Sequence, residues 1–261
     1  MVARLPYGPG NLVNKCFRIG QIVPSSNVTM EIEIPAVFKM REAYYPQRFT
    51  FHSSRMRMRS VNEEELSKMD SESDRCALEL SDASVDVIGY ACLVAIMSMG
   101  LGYHRQSQER LHGVTKSNDH ACPVVSSAGA LVKGLEALGS KKIAIITPYK
   151  KKLTQMVIDY IEYEGIEVAD AISLEIPDNL AVARQDPCQP IELVDRLSLA
   201  NVDTIVASAC VQMPSLPAVQ VIQDKTGIPT VSASVATTYE IMKTLDLCHE
   251  IPGFGALFEG D

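Results

Sequence analysis

Short apolar runs alternate along the chain with stretches whose apolar residues recur at helical spacing. Residues 84–92 (SVDVIGYAC) and 202–210 (VDTIVASAC) read as buried strands, continuous and rich in β-branched residues. Strands are also predicted at 17–23, 142–146, 123–125 and 229–231, and within 166–176. The run 48–58 alternates, which fits a strand with one wet face. Between the strands, Ala128, Leu131, Val132, Leu135 and Leu138 form one helical stripe that Gly139 stops. Leu153, Met156, Val157, Tyr160 and Ile161 form another, stopped by Gly165. Asn62 and Glu65 give an N-x-x-E start close to a capping box, and the helix they open turns Leu66, Met69, Cys76 and Leu80 inward. A polar helix ends near Gly113, one begins near Pro190, one follows Pro214 as far as Gly227, and a last one closes the chain.

Strands alternating with helices imply parallel sheets joined by right-handed crossovers. The chain also resembles itself. Residues 19–27 (IGQIVPSSN) align with 143–151 (IAIITPYKK), 86–92 with 203–210, and 123–139 with 229–246, in the same order. The offset is too long for a solenoid repeat. The expected fold is therefore α/β, with two pseudo-symmetric, doubly wound parallel-sheet lobes and a site between them. The expected division assigns residues 1–121 and a returning 232–261 to the first lobe, and 122–231 to the second.

Composition narrows the partners. The 261 residues suffice for two units of about 100–150 residues each. The formal net charge of −8 argues against nucleic acid, which selects basic surfaces. No apolar stretch is long enough to span a membrane, and the N-terminal residues have no apolar core of the secretory type. Seven cysteines, an odd number with no close pairs, fit neither a disulfide framework nor a zinc site. A cytoplasmic protein with a few functional thiols and no metal is expected.

Two thiols stand apart from the other five. Cys92 and Cys210 each end a buried strand in corresponding parts of the repeat, Tyr90-Ala91-Cys92 and Ser208-Ala209-Cys210. Ligands of open parallel sheets bind at the carboxyl ends of strands. A turn into a helix follows each, where free N–H groups favour a thiolate, at once nucleophile and base. Cys16, Cys76, Cys122, Cys188 and Cys248 read as small core hydrophobes. Pro24-Ser25-Ser26-Asn27 and Thr147-Pro148-Tyr149 are also at strand ends. Asn27 is a candidate ligand or a turn and cap residue; Tyr149 is a candidate ligand or a packing residue. The five histidines show no metal-ligand spacing, and Lys150, Lys151 and Lys152 read as solvated. Arg55, Arg57 and Arg59 read as a solvated or ion-paired stripe, with Arg55 within possible reach of a carboxylate.

At these residues the chain resembles the maleate cis–trans isomerases of the aspartate/glutamate racemase superfamily. The resemblance rests on VPSSN at 23–27, Cys92 in its YAC segment, TPY at 147–149, Asn179 in a PDN segment and Cys210 in SAC. It implies a cofactor-independent enzyme for a small dicarboxylate, usually assembled as a homo-oligomer. It implies that Cys92 adds to the double bond of maleate and Cys210 serves as acid and base. Asn27, Tyr149 and Asn179 would hold the carboxylates, with N–H groups near Leu93, Val94 and Val211. The racemases of the superfamily tend to carry Cys-Asn-Thr and Cys-Thr, where this chain has Cys92-Leu93-Val94 and Cys210-Val211. Apolar neighbours suit a substrate without an ammonium group. A racemase or arylmalonate-type decarboxylase on the same scaffold, and a non-catalytic binder of small diacids, are the competing readings.

Overall fold

The computed structural model describes residues 16–58 and 63–260. Asn62 and Arg59, which carry the expected capping box and the last residue of the arginine stripe, lie outside the described residues. The first part of the chain runs β1 (Cys16–Pro24), α1 (Met30–Tyr44), β2 (Arg48–Met56), α2 (Glu63–Asp82), β3 (Val87–Tyr90), α3 (Leu93–Ser98), α4 (Tyr103–Ser117) and β4 (Val124–Ser126). Next come α5 (Ser127–Ala137), β5 (Lys142–Thr147), α6 (Lys151–Tyr163), β6 (Glu167–Ser173), α7 (Asn179–Ala183) and α8 (Pro190–Leu193). The chain closes with β7 (Thr204–Ser208), α9 (Leu216–Thr226), β8 (Thr230–Ser232) and α10 (Ala233–Thr244).

Two four-stranded sheets result, ordered β2-β1-β3-β4 and β6-β5-β7-β8, so the second repeats the first. Every strand pairing in both is parallel. The repeat extends to single hydrogen bonds. Ala91 N donates to Ile22 O, and Ala209 N to Ile146 O, both at 2.9 Å. Ser126 caps α5 through Gly129 N, and Ser232 caps α10 through Val235 N.

β4 pairs with β3, so the first sheet runs to Ser126, past the expected boundary at 121. α10 leaves the second sheet and packs on α1, α5, β3 and β4. Where α5 meets α10 the approach is tight: a Cβ on Gly134 would sit 3.2 Å from that of Ala236.

Several elements depart from the pattern reading. α1 occupies a stretch where no helix was read, because exposed Ile32, Met40 and Tyr44 are interspersed with buried Met30, Ile34, Val37 and Phe38. Pro35 inside it adds a breaker signal. α4 continues through Gly113 to Ser117; at Gly113 a Cβ would meet open space, so the glycine is neither a tight contact nor a stop. The helix at Pro190 has four residues and passes into a 3-10 turn at 194–196. Cys188 and Cys248 are exposed, not core residues as expected, because both lie in loops outside the sheets.

Candidate active site

In each sheet the strand order reverses between its two central strands, β1/β3 and β5/β7. Loops leaving the carboxyl ends of such strands diverge and open a crevice. The crevices of the two sheets meet in one small cavity. Pro24 and Asn27 enter it from the loop after β1, Met58 from the loop after β2, and Cys92, Leu93 and Val94 from the start of α3. The second sheet supplies Tyr149, Asn179, Cys210, Val211 and Gln212. All eight residues singled out in the sequence therefore line a single cavity.

The lining combines apolar walls with a few directed polar groups. Asn27 is buried, and its Oδ1 accepts the N–H groups of Thr29 and Met30, both at 3.1 Å. It is thus a capping residue at the start of α1, and its Nδ2 has no protein partner among the described residues. Asn179 Nδ2 donates to Ser26 Oγ at 2.8 Å, which ties the two asparagine loops together. Tyr149 donates to Ala209 O at 3.4 Å and lies within hydrogen-bond reach of the Cys210 sulfur.

The thiols respond to this setting against the expectation that helix starts favour a thiolate. Burial pushes Cys92 up to about 12, and a charge on Cys210 would push the same way. The N–H groups of Val94 and Ala95 oppose this but do not prevail, because α3 is only six residues long and buried on most of its length. Burial likewise raises Cys210, against the Tyr149 hydroxyl and the N–H groups of Gln212 and Met213. The Glu33 carboxylate raises it further. Tyr149 itself is held well above the ordinary phenol range by burial, then by the two sulfurs, and stays a donor. Both shifts favour the thiol over the thiolate.

Three contributors to the cavity or its frame carried no usable signal in the sequence, whereas Pro24 lines it as part of the strand-end turn already singled out. Met58 lines it as an ordinary apolar residue. Gln212 hydrogen-bonds across it, and Glu33 on α1 accepts from Ser215 N (2.6 Å), Leu216 N (2.7 Å) and the Ser234 hydroxyl. Their partners are remote in sequence, so no local spacing marks them. Arg55 does not line the cavity: its guanidinium donates to Ser25 O (3.1 Å) and Asn27 O (3.0 Å) and pairs with Glu31, bracing the Asn27 loop from outside. None of the histidines lines it either, and His104 is buried against Tyr160. Among the described residues, no group of three or more potential metal ligands occurs, and no helix is long and apolar enough to cross a membrane.

A family model described as arylmalonate decarboxylase matches residues 19–258. A maleate isomerase of Pseudomonas putida is 60% identical over 248 residues, 95% of this chain and 99% of that protein. The chain belongs to this family, among its maleate isomerases. Solved members of the group superpose closely. The Pseudomonas putida S16 maleate isomerase crystallised with maleate has a TM-score of 0.93 at 59% identity, covering 94% of this chain and 98% of that one. A variant of the Nocardia farcinica maleate cis–trans isomerase with a covalently bound succinylcysteine intermediate has a TM-score of 0.90 at 42% identity, covering 94% and 99%.

Proposed function

We propose that this chain converts maleate to fumarate without a cofactor, through covalent addition of Cys92 and proton transfer by Cys210. The observation that carries this reading is the meeting of two strand-end thiols, from corresponding halves of the fold, in one small buried cavity. The succinylcysteine seen in the Nocardia farcinica relative supports the same chemistry.

A cis double bond rotates only once its π bond is broken. The Cys92 thiolate forms a C–S bond to one vinyl carbon, and the π pair moves to the other carbon and its carboxylate. The Cys210 thiol gives its proton to that second carbon and is left as thiolate. Rotation about the resulting single bond brings the carboxylates trans. Cys210 then takes a proton back from the same carbon, the C–S bond breaks, and the double bond re-forms as fumarate. One proton shared by two sulfurs suffices, and no oxidant or reductant enters. Asn27 Nδ2, Asn179, the Tyr149 hydroxyl and the N–H groups around Leu93, Val94 and Val211 stabilise the carboxylates and the charge that builds on one of them. They act in a water-poor cavity, where such dipoles count for more.

The test uses the purified chain, maleate and no additive, followed by proton NMR. Fumarate should accumulate, and Cys210→Ala should block turnover while Cys92 gains the mass of one maleic acid, the proton on the second carbon then coming from solvent. Unchanged maleate, or an adduct on a different residue, would remove the reading.

A further inference from the structure

A carboxamide offers two N–H donors and an oxygen with two lone pairs. Gln212 is buried and uses all of them. Its Nε2 donates to Ser26 O at 2.8 Å and to Asn179 O at 2.9 Å. Its Oε1 accepts from Val28 N at 3.0 Å and Thr29 N at 3.5 Å. Its own backbone joins the same set: Thr29 Oγ1 donates to Gln212 O at 2.7 Å, and Gln212 N donates to the Cys210 sulfur at 3.4 Å.

The positions of these partners matter more than their number. Ser26 and Val28 are the residues on either side of Asn27. The third tie is to the main chain of Asn179, the other asparagine of the cavity. We propose that Gln212 is a positioning residue for the isomerisation, a clasp that holds both asparagine loops in register with Cys210. This rests on the isomerase reading above. Gln212 takes no part in the bond changes: it fixes the distance between the carboxylate donors, contributed by loops of both sheets, and the sulfur that moves the proton. Among the described residues the side chain of Asn179 reaches the Asn27 loop at the Ser26 hydroxyl, and Gln212 brings Cys210 into the same frame.

Glutamate has the shape of glutamine but sets an oxygen against the carbonyls of Ser26 and Asn179, where donors are needed. The loops must then move apart, and a displacement of about 1 Å between reacting groups costs on the order of 100-fold. In the full-length chain with maleate, Gln212→Glu should lower kcat/KM about 100-fold, with most of the loss in kcat. Thr29→Val, which removes only one hydroxyl from the clasp, should lower it about 10-fold. Without substrate, amide hydrogen exchange at Val28 and Thr29 should quicken in Gln212→Glu. Quickened exchange with wild-type kcat and KM would make the clasp purely structural and overturn the proposal; unchanged protection at both amides would overturn the clasp itself. If Gln212→Glu does not fold, Thr29→Val decides by its turnover, and wild-type kcat/KM there rejects the proposal. A wild-type chain inert toward maleate would instead reject the isomerase reading, which keeps the two failures apart.

Discussion

Burial and backbone donors pull the two thiols in opposite directions, and the outcome is read in a pH profile. At Cys92 burial prevails and the thiol rises to about 12, so the free enzyme holds the protonated, unreactive form at neutral pH. Addition needs the thiolate, so the reactive fraction grows as pH rises toward that value. Log kcat/KM for maleate should climb with unit slope from about pH 6 to about pH 9. A plateau below about pH 8 would mean that the N–H groups of α3 outweigh burial after all. Tyr149 belongs to the same balance, because its hydroxyl lowers Cys210. Tyr149→Phe should lower kcat about 10- to 100-fold, since it removes a donor from a developing charge. A profile superimposable on wild type would reduce Tyr149 to a packing residue.

Glu33 shows how an element is fixed from outside itself. The first N–H groups of a helix have no partners within it. At α9 two of them, from Ser215 and Leu216, are taken by a carboxylate on α1, and that carboxylate also receives the Ser234 hydroxyl of the α10 start. Three segments thereby meet at one buried side chain. Burial raises the carboxyl above its ordinary value, against those three donors. The folded state therefore favours the protonated acid. Stability from this group is fully present below the unfolded carboxyl value and is lost as pH rises through the raised one. Glu33→Gln keeps an acceptor for both N–H groups without the charge, so its stability relative to wild type should improve from about pH 5 to about pH 8. Glu33→Ala should lose about 1–3 kcal/mol by leaving the donors unmet. Denaturant unfolding of the three proteins at both pH values checks this; a Gln variant that falls further behind wild type as pH rises would show that the buried charge is stabilising. None of it was legible in the sequence, where Glu31 and Glu33 look alike. Glu31 pairs with Arg55 at the partly exposed face, and only packing turns Glu33 inward.

Across the molecule, what the sequence disclosed was what the duplication repeats. The Ala-Cys strand ends and the Pro-containing turns recur in both halves, so the two thiols, Asn27 and Tyr149 could be assigned to equivalent strand tips and hence to one cavity. What escaped was whatever the halves do not share: α1 with its internal Pro35, Glu33, and the clasp of Gln212, all defined by contacts across sheets. Those same contacts bear on how the chain unfolds. Each sheet has its own strands, yet the helix after the last strand of the second packs on α1, β3 and β4 of the first. Gly134 and Ala236 let α5 and α10 approach closely between them. Glu33 and Gln212 add hydrogen bonds that neither sheet can satisfy by itself. A first sheet separated from α10 would lose Ile241, which packs with Met30 around Gly89, and so lose part of its core. The two sheets should therefore unfold as one cooperative unit. Urea transitions followed by far-ultraviolet circular dichroism and by tyrosine fluorescence, the chain having nine tyrosines and no tryptophan, should coincide. A fragment ending at Ser126 should stay unfolded by the same probes. Two separated transitions, or a folded fragment, would mean that each sheet carries a self-sufficient core and that α10 is only an attachment.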